Sequence, residues 1–195
     1  MSKIKEYYID LDEKVECMLK KAKYIGKGHN GIIYMLPDGK IIKIFIDPKV
    51  CDDEYFILKK AYKSKYFPKV HSYGKYYIIR DYVKGKRLDS YIKKHGLDRK
   101  ISSNLIKLIK EFKKLGFTRL DIRCKDLYVQ EDLSIMVIDP KNNYSKEVAY
   151  PRHLMKGLSK INVLDEFLSV VKEEEPEFYE LWDYRIKKYL ELDIK

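Results

Sequence analysis

The chain has 195 residues, 45% apolar and 36% charged, which is enough to bury one good core or two small lobes packed together. Six prolines and nine glycines are too few for a disordered or collagen-like chain, and runs such as Ile135-Met136-Val137-Ile138 are too short to span a bilayer. The formal charge of +11 favours an acidic partner, but the lysines are spread among 30 acidic residues, which reads as a solvated basic surface rather than a nucleic-acid footprint.

The opening Met1-Ser2-Lys3-Ile4-Lys5-Glu6 is charged and has no apolar signal core. Cys17, Cys51 and Cys124 are an odd number without close pairing, so neither a disulfide framework nor a zinc site is suggested. The expectation is a cytoplasmic protein with reduced thiols.

In chain order, Leu11–Lys20 has the apolar spacing of a helix. Tyr24-Ile25 and Ile32–Leu36 flank Gly26-Lys27-Gly28-His29-Asn30-Gly31 as the two strands of a hairpin. Pro37-Asp38-Gly39-Lys40 is a turn signature, followed by a strand over Ile41–Phe45. A helix from about Val50 to Tyr62 carries Tyr55, Ile57, Leu58 and Ala61, and Val70–Tyr73 and Tyr76–Ile79 read as strands about Gly74-Lys75. After Lys84-Gly85-Lys86 the pattern becomes helical, first over Leu88–Lys94 and then over Ile101–Leu115. Asp121–Val129 reads as a loop entering a strand, with Leu133–Ile138 as its hairpin partner. Two helices close the chain, roughly Asn162–Lys172 and Pro176–Leu192, the proline standing where its missing N–H matters least. There is no internal repeat. A boundary near residues 82–86 divides a sheet-rich region, 1–83, from a helical one, 84–195.

Several residues stand out against this frame. Glycines 26, 28 and 31 have no Cβ, so backbone N–H groups there can approach phosphate oxygens closely, although the same cluster also makes an ordinary hairpin. Lys43 lies between Ile42 and Ile44, whose side chains point to the opposite face of the strand. A lone lysine so placed often faces solvent. Asp139 ends an apolar strand and precedes a proline, which is also a common way to start a turn.

Taken in order, the glycine hairpin, Lys43, Glu54, Asp121, Asp126 and Asp139 resemble the protein-kinase-like superfamily, the likeness running from about Tyr24 to Lys141. In style the chain is similar to compact microbial kinases of the RIO and lipopolysaccharide (Kdo) kinase types. The resemblance implies an α+β, bilobal protein-kinase-like fold, with a small β-sheet N-lobe carrying one helix and a reduced, mainly helical C-lobe. It also implies ATP bound between the lobes, Mg²⁺ or Mn²⁺, and transfer of the γ-phosphoryl group to a hydroxyl.

Carried over residue by residue, Gly26, Lys27, Gly28, His29 and Gly31 form the glycine-rich loop, with His29 at its tip, and Ile33 covers the adenine. Lys43 meets the α/β-phosphates and Glu54 holds it extended, although Asp52 and Asp53 adjoin. Arg80-Asp81-Tyr82-Val83 resembles the hinge, where the backbone of Asp81 and Val83 would hydrogen-bond adenine. Arg80 departs from the usual apolar residue, so it either turns outward to a carboxylate or makes the pocket smaller and more polar. Thr118–Leu127 resembles the catalytic loop. There Asp121 would accept or orient the proton of the attacking hydroxyl, and Arg123 would neutralise the transferring phosphate. Asp126 stands in the place of an asparagine metal ligand, and Asp139 in that of the metal-binding aspartate.

Three departures limit the carry-over. Leu120 replaces the arginine that reads activation-loop phosphorylation, so that switch is not expected. Pro140-Lys141 replaces Phe-Gly, so a stiffer loop is expected. No Ala-Pro-Glu follows, so the peptide-docking part of the C-lobe is reduced or absent. Arg152–Lys156 reads as a solvated helix start, with gripping of an acidic acceptor as the alternative, and the histidines outside the glycine loop give no metal or triad pattern. The readings are a protein Ser/Thr kinase, a small-molecule kinase acting on a sugar or antibiotic hydroxyl, and a non-catalytic nucleotide-binding partner. The first is favoured because Lys43 and all three carboxylates are present and no large acceptor-binding insertion is.

Overall fold

Residues 11–140, 143–144 and 146–192 are described by the computed structural model, and Lys141, named above with Pro140, lies outside them. The chain divides into two compact units, 11–62 with 68–82, and 63–67 with 83–192, within the described residues. The architecture is α+β, a five-stranded antiparallel sheet followed by a mainly helical part, compatible with a bilobal kinase-like fold.

In the first unit, helix α1 (Glu13–Lys20) starts where Asp12 accepts a hydrogen bond from Val15 N at 2.8 Å. Strands β1 (Lys23–Gly28), β2 (Gly31–Met35), β3 (Lys40–Phe45), β4 (Val70–Gly74) and β5 (Tyr77–Asp81) form one antiparallel sheet in the order β1-β2-β3-β5-β4. Helix α2 (Pro48–Lys60) lies between β3 and β4 in the chain, with Asp47 capping Lys49 N and Pro48 at its first turn.

Strand β3 is central, and its two faces meet different helices. Ile42 and Ile44 share a cluster with Ile79 and Leu36, which α1 covers with Val15. On the other face Lys43 is ion-paired to Glu54 of α2. With both faces covered, Ile41–Phe45 is buried residue after residue, Lys43 included, rather than in alternation. Gly31 is needed by packing: a Cβ there would sit 1.9 Å from the Ile44 carbonyl oxygen.

In the second unit, β6 (Lys86–Arg87), β7 (Leu127–Val129) and β8 (Ile135–Val137) make a small sheet beside α3 (Leu88–His95) and α4 (Arg99–Lys114). Asp98 caps α4 through Ile101 N, and the helix buries Ile101, Leu105, Leu108 and Phe112. It ends in a Schellman turn. Gly116 adopts φ +71°, Gly116 N donates to Lys113 O, and Phe117 N donates to Phe112 O, with the two phenylalanine rings in contact. That turn delivers the chain into the loop at 118–123.

Residues 63–67 belong to this unit although the sequence reading placed them with the sheet. Phe67 packs on Phe112 and Phe117, and Tyr66 O accepts from Val137 N at 2.8 Å. Helices α5 (Arg152–Ser159), α6 (Leu164–Glu174) and α7 (Pro176–Glu191) complete the unit around Trp182, which is stacked between Phe167 and Phe178. No helix is long and apolar enough to cross a membrane among the described residues.

Cys51 is buried in the first unit and Cys124 in the second, and burial pushes both thiols up to about 12, while Cys17 is exposed. A thiol-disulfide reagent at pH 8 is therefore expected to modify Cys17 alone in native protein, and Cys51 and Cys124 after urea. Prompt reaction of all three without denaturant would contradict this packing.

Candidate active site

The first unit contributes a buried ammonium. Lys43 is 5% exposed and Glu54 3%, and Lys43 Nζ lies 2.5 Å from Glu54 Oε2. Glu54 is the one charge in the stripe of α2 made by Cys51, Ile57 and Leu58, whereas Asp52 and Asp53 are exposed and Asp52 bonds the Tyr73 hydroxyl. The ambiguity among three adjacent acids is thus settled by helix phase, since only position 54 faces the sheet.

Ile33 stands directly across from Lys43 in the β2–β3 register and shares its face. Lys27, Gly28 and His29 are exposed at the hairpin turn, where Gly28 pairs with Gly31. A Cβ on Gly26 would meet nothing within 4 Å, and one on Gly28 only the Gly31 carbonyl at 3.9 Å. Packing therefore requires glycine at 31 and not at 26 or 28.

Arg80 does not turn out to solvent. It is 4% exposed and, pairing with Ile41, shares a face with Ile78 and Lys43. Asp81 N donates to Lys69 O at 3.0 Å, and its carboxylate holds His71 Nε2 at 2.6 Å and Lys69 N at 3.1 Å. Burial raises the Asp81 pKa, but these hydrogen bonds outweigh it and the net shift is downward. Val83 is buried at the start of the second unit's main segment.

The second unit gathers the carboxylates around one cavity of about 220 Å³, lined among others by Asp121, Arg123, Asp126, Asp139, Asn143 and His153. Two backbone links hold the loop in place: Asp126 O accepts from Ile138 N at 3.0 Å, and Leu120 N donates to Val148 O at 2.9 Å. The first of these sets Asp126 beside the strand end that carries Asp139. A larger hollow of about 680 Å³ is lined by exposed Lys84, Lys86, Glu131 and Asp132 and contains no buried charge.

Asp126 is 7% exposed, and Arg123 grips both its oxygens, at 2.6 and 2.9 Å. That fork raises the Arg123 pKa against the cost of burial, with Asp139 and Asp121 adding to it. The Asp121 side chain has no exposed surface. Its Oδ1 accepts from His153 N at 2.7 Å and its Oδ2 from Arg152 Nε at 3.2 Å, while His153 Nδ1 meets Oδ2 and Arg119 Nη2 lies 3.6 Å away.

Arg152 and His153 are the first residues of α5, so Asp121 serves as a remote cap for that helix, whose Pro151 offers no side-chain cap. The expected solvated helix start is corrected here, because its first two side chains turn onto a buried carboxylate. No sequence signal joined residues 31 and 32 positions apart.

Around this cavity lie the guanidiniums of Arg119 and Arg123 and the carboxylates of Asp121, Asp126 and Asp139, and Arg152 reaches Asp121 from α5. Among the described residues no group of three or more His, Cys, Asp or Glu could hold a metal ion. A magnesium-type ion takes one or two carboxylates and completes its shell with substrate phosphates and water. Asp126 and Asp139 fit such a pair, with Arg123 the group that would leave Asp126.

A buried ion pair contributes little net stability while intact, but breaking it leaves an uncompensated charge. Lys43→Met is expected to destabilise the first unit by about 3–5 kcal/mol, and the Lys43→Met/Glu54→Leu pair to recover most of that in urea unfolding. Equal loss in the single and double variants would show that Glu54 is not the partner that matters.

A sequence comparison finds similarity to "Putative serine/threonine-protein kinase YrzF" of Bacillus subtilis (strain 168), 26% identical over 136 residues. The match covers 65% of this chain and 62% of that protein, so less than two thirds of the relative is represented. No protein-family profile matches the chain. The similarity is a kinase-like relationship and no finer one.

Proposed function

We propose that the protein is an ATP-dependent phosphotransferase that moves the γ-phosphoryl group to a hydroxyl, with a protein serine or threonine as the acceptor. The observation that carries this reading is the buried Lys43–Glu54 pair, on a strand and helix that follow a glycine hairpin. Such a pair adds little stability, but it holds an ammonium extended where phosphates would need it. The protein acceptor is drawn from the name of the distant relative. A small-molecule hydroxyl is the alternative acceptor.

In this reading Lys43 contacts the α/β-phosphates, the glycine turn with Lys27 and His29 covers them, and Ile33 packs on the base. The backbone of Asp81 and Val83 meets the adenine edge; the Asp81 N–H already donates to Lys69 O, which assigns this contact to its carbonyl. Asp126 and Asp139 would hold Mg²⁺ or Mn²⁺, which when bound neutralises charge on the phosphates. Arg123, released from Asp126, would face the transferring group, and the loop around Asp121 acts on the acceptor hydroxyl. The cavity of about 220 Å³ suits the reacting end of such ligands rather than a whole nucleotide. A second reading, nucleotide binding without transfer, draws on the fork of Arg123 over Asp126.

Labelled ATP with Mg²⁺ or Mn²⁺ and generic protein acceptors tests the proposal. Asp139→Asn is expected to lower transfer by about 100-fold or more, since charge stabilisation dominates phosphoryl transfer. Full transfer by that variant, or nucleotide binding with none by the wild type, would reject the reading. Because Gly28 has room for a Cβ, Gly28→Ala is expected to leave stability within about 0.5 kcal/mol while raising the KM for ATP several-fold. Gly31→Ala, against the Ile44 carbonyl, is expected to lose stability outright.

A further inference from the structure

The carboxylate that the sequence marks as the proton acceptor is enclosed. Asp121 has no exposed side-chain surface, and its oxygens are met by His153 N, His153 Nδ1 and Arg152 Nε. Although Asp121 lines the cavity, its side-chain oxygens present no exposed surface to a substrate hydroxyl in this arrangement. The imidazole attached to it is different: His153 is 34% exposed at the side chain and lines the cavity shared with Arg123, Asp126 and Asp139. A neutral imidazole has one donor and one acceptor nitrogen. An ionised carboxylate draws the N–H to Nδ1, so the lone pair is left on Nε2.

We propose that His153 Nε2, and not Asp121, takes the proton of the acceptor hydroxyl, with Asp121 as the positioning residue that fixes the ring and its tautomer. This rests on the phosphotransferase reading above. The acceptor oxygen forms the new bond to the γ-phosphorus as its O–H proton passes to Nε2. The bond from the γ-phosphorus to the bridging oxygen breaks, and its electron pair leaves with ADP. Asp121 stays ionised and faces the imidazolium so formed, which then returns its proton to solvent.

The groups around the ring decide whether it can carry that charge. Asp121 and Arg119 face it from the loop, Arg152 adjoins it on α5, and Arg123, Asp126 and Asp139 line the same cavity. Tyr150 precedes the helix, and Tyr189 of α7 lies under Arg152 and Lys156. Of these, the Asp121 carboxylate is in direct contact with the ring.

The test is the pH dependence of phosphoryl transfer in wild type, His153→Asn and Asp121→Asn. Asparagine at 153 keeps an N–H for Asp121 and removes Nε2. Expected for His153→Asn is a loss of about 100-fold or more in kcat, little change in the KM for ATP, and disappearance of the acid limb between about pH 5 and 8. A variant within about threefold of wild type that keeps that limb overturns the proposal and leaves the phosphotransferase reading intact. Wild type that transfers to no acceptor at any pH overturns the reading itself and this role with it. Nitrogen-15 NMR of the imidazole gives a readout apart from activity. The Nδ1–H tautomer is expected in wild type and its loss in Asp121→Asn, whereas an Nε2–H tautomer in wild type overturns the assignment.

Discussion

Burying a carboxylate costs several kcal/mol unless hydrogen-bond donors surround it, and the second unit is arranged around meeting that demand at Asp121. One donor, Arg119, comes from its own loop, but Arg152 and the backbone and ring of His153 come from far along the chain, at the start of α5. Satisfying one charged group therefore fixes where α5 docks. Gly157 then lies so close to the loop that a Cβ would come within 2.5 Å of Cys124 Sγ. The same loop holds Asp126 under the fork of Arg123 and hands a carbonyl to Ile138, which places Asp139.

The first unit solves a related problem with fewer parts. Lys43 and Glu54 neutralise each other between β3 and α2, in a layer that also holds Cys51, Ile57, Ile78, Phe45 and the buried Arg80. The aromatic ring of Phe45 lies 4.6 Å from Lys43 Nζ, which further suits a cation held out of water. Apolar residues of similar volume often stabilise a fold as well as a buried ion pair does, so such pairs are weak evidence of a stabilising role. Charge held in fixed orientation inside a poorly solvated surrounding is what phosphate chemistry uses.

Local features were legible in the sequence and long-range ones were not. Period and turn chemistry located β2, β3, α2 and α4 to within a few residues, since each of these segments carries its own apolar pattern and its own cap or turn. The face of Lys43 followed from the apolar pair Ile42 and Ile44 on either side. Of helix α5 only the start at Arg152–Lys156 was legible, because Gly157 lowers the helix propensity of so short a segment and its N-terminus is capped by a residue 32 positions away. For the same reason the histidines gave no triad-like pattern: the His153–Asp121 contact exists only after the segment carrying Val148 pairs beside Leu120. The assignment of 63–67 to the second unit depends likewise on aromatic contacts made across the fold, with Phe112 and Phe117.

A phosphotransferase of the proposed kind binds ATP together with a divalent metal. Isothermal titration of ATP into the protein, with and without Mg²⁺, measures that most directly. The expected result is metal-dependent binding that weakens with added salt and is abolished by exchanging Lys43 for methionine. Affinity indifferent to both Mg²⁺ and Lys43, or no binding at millimolar ATP, would contradict it.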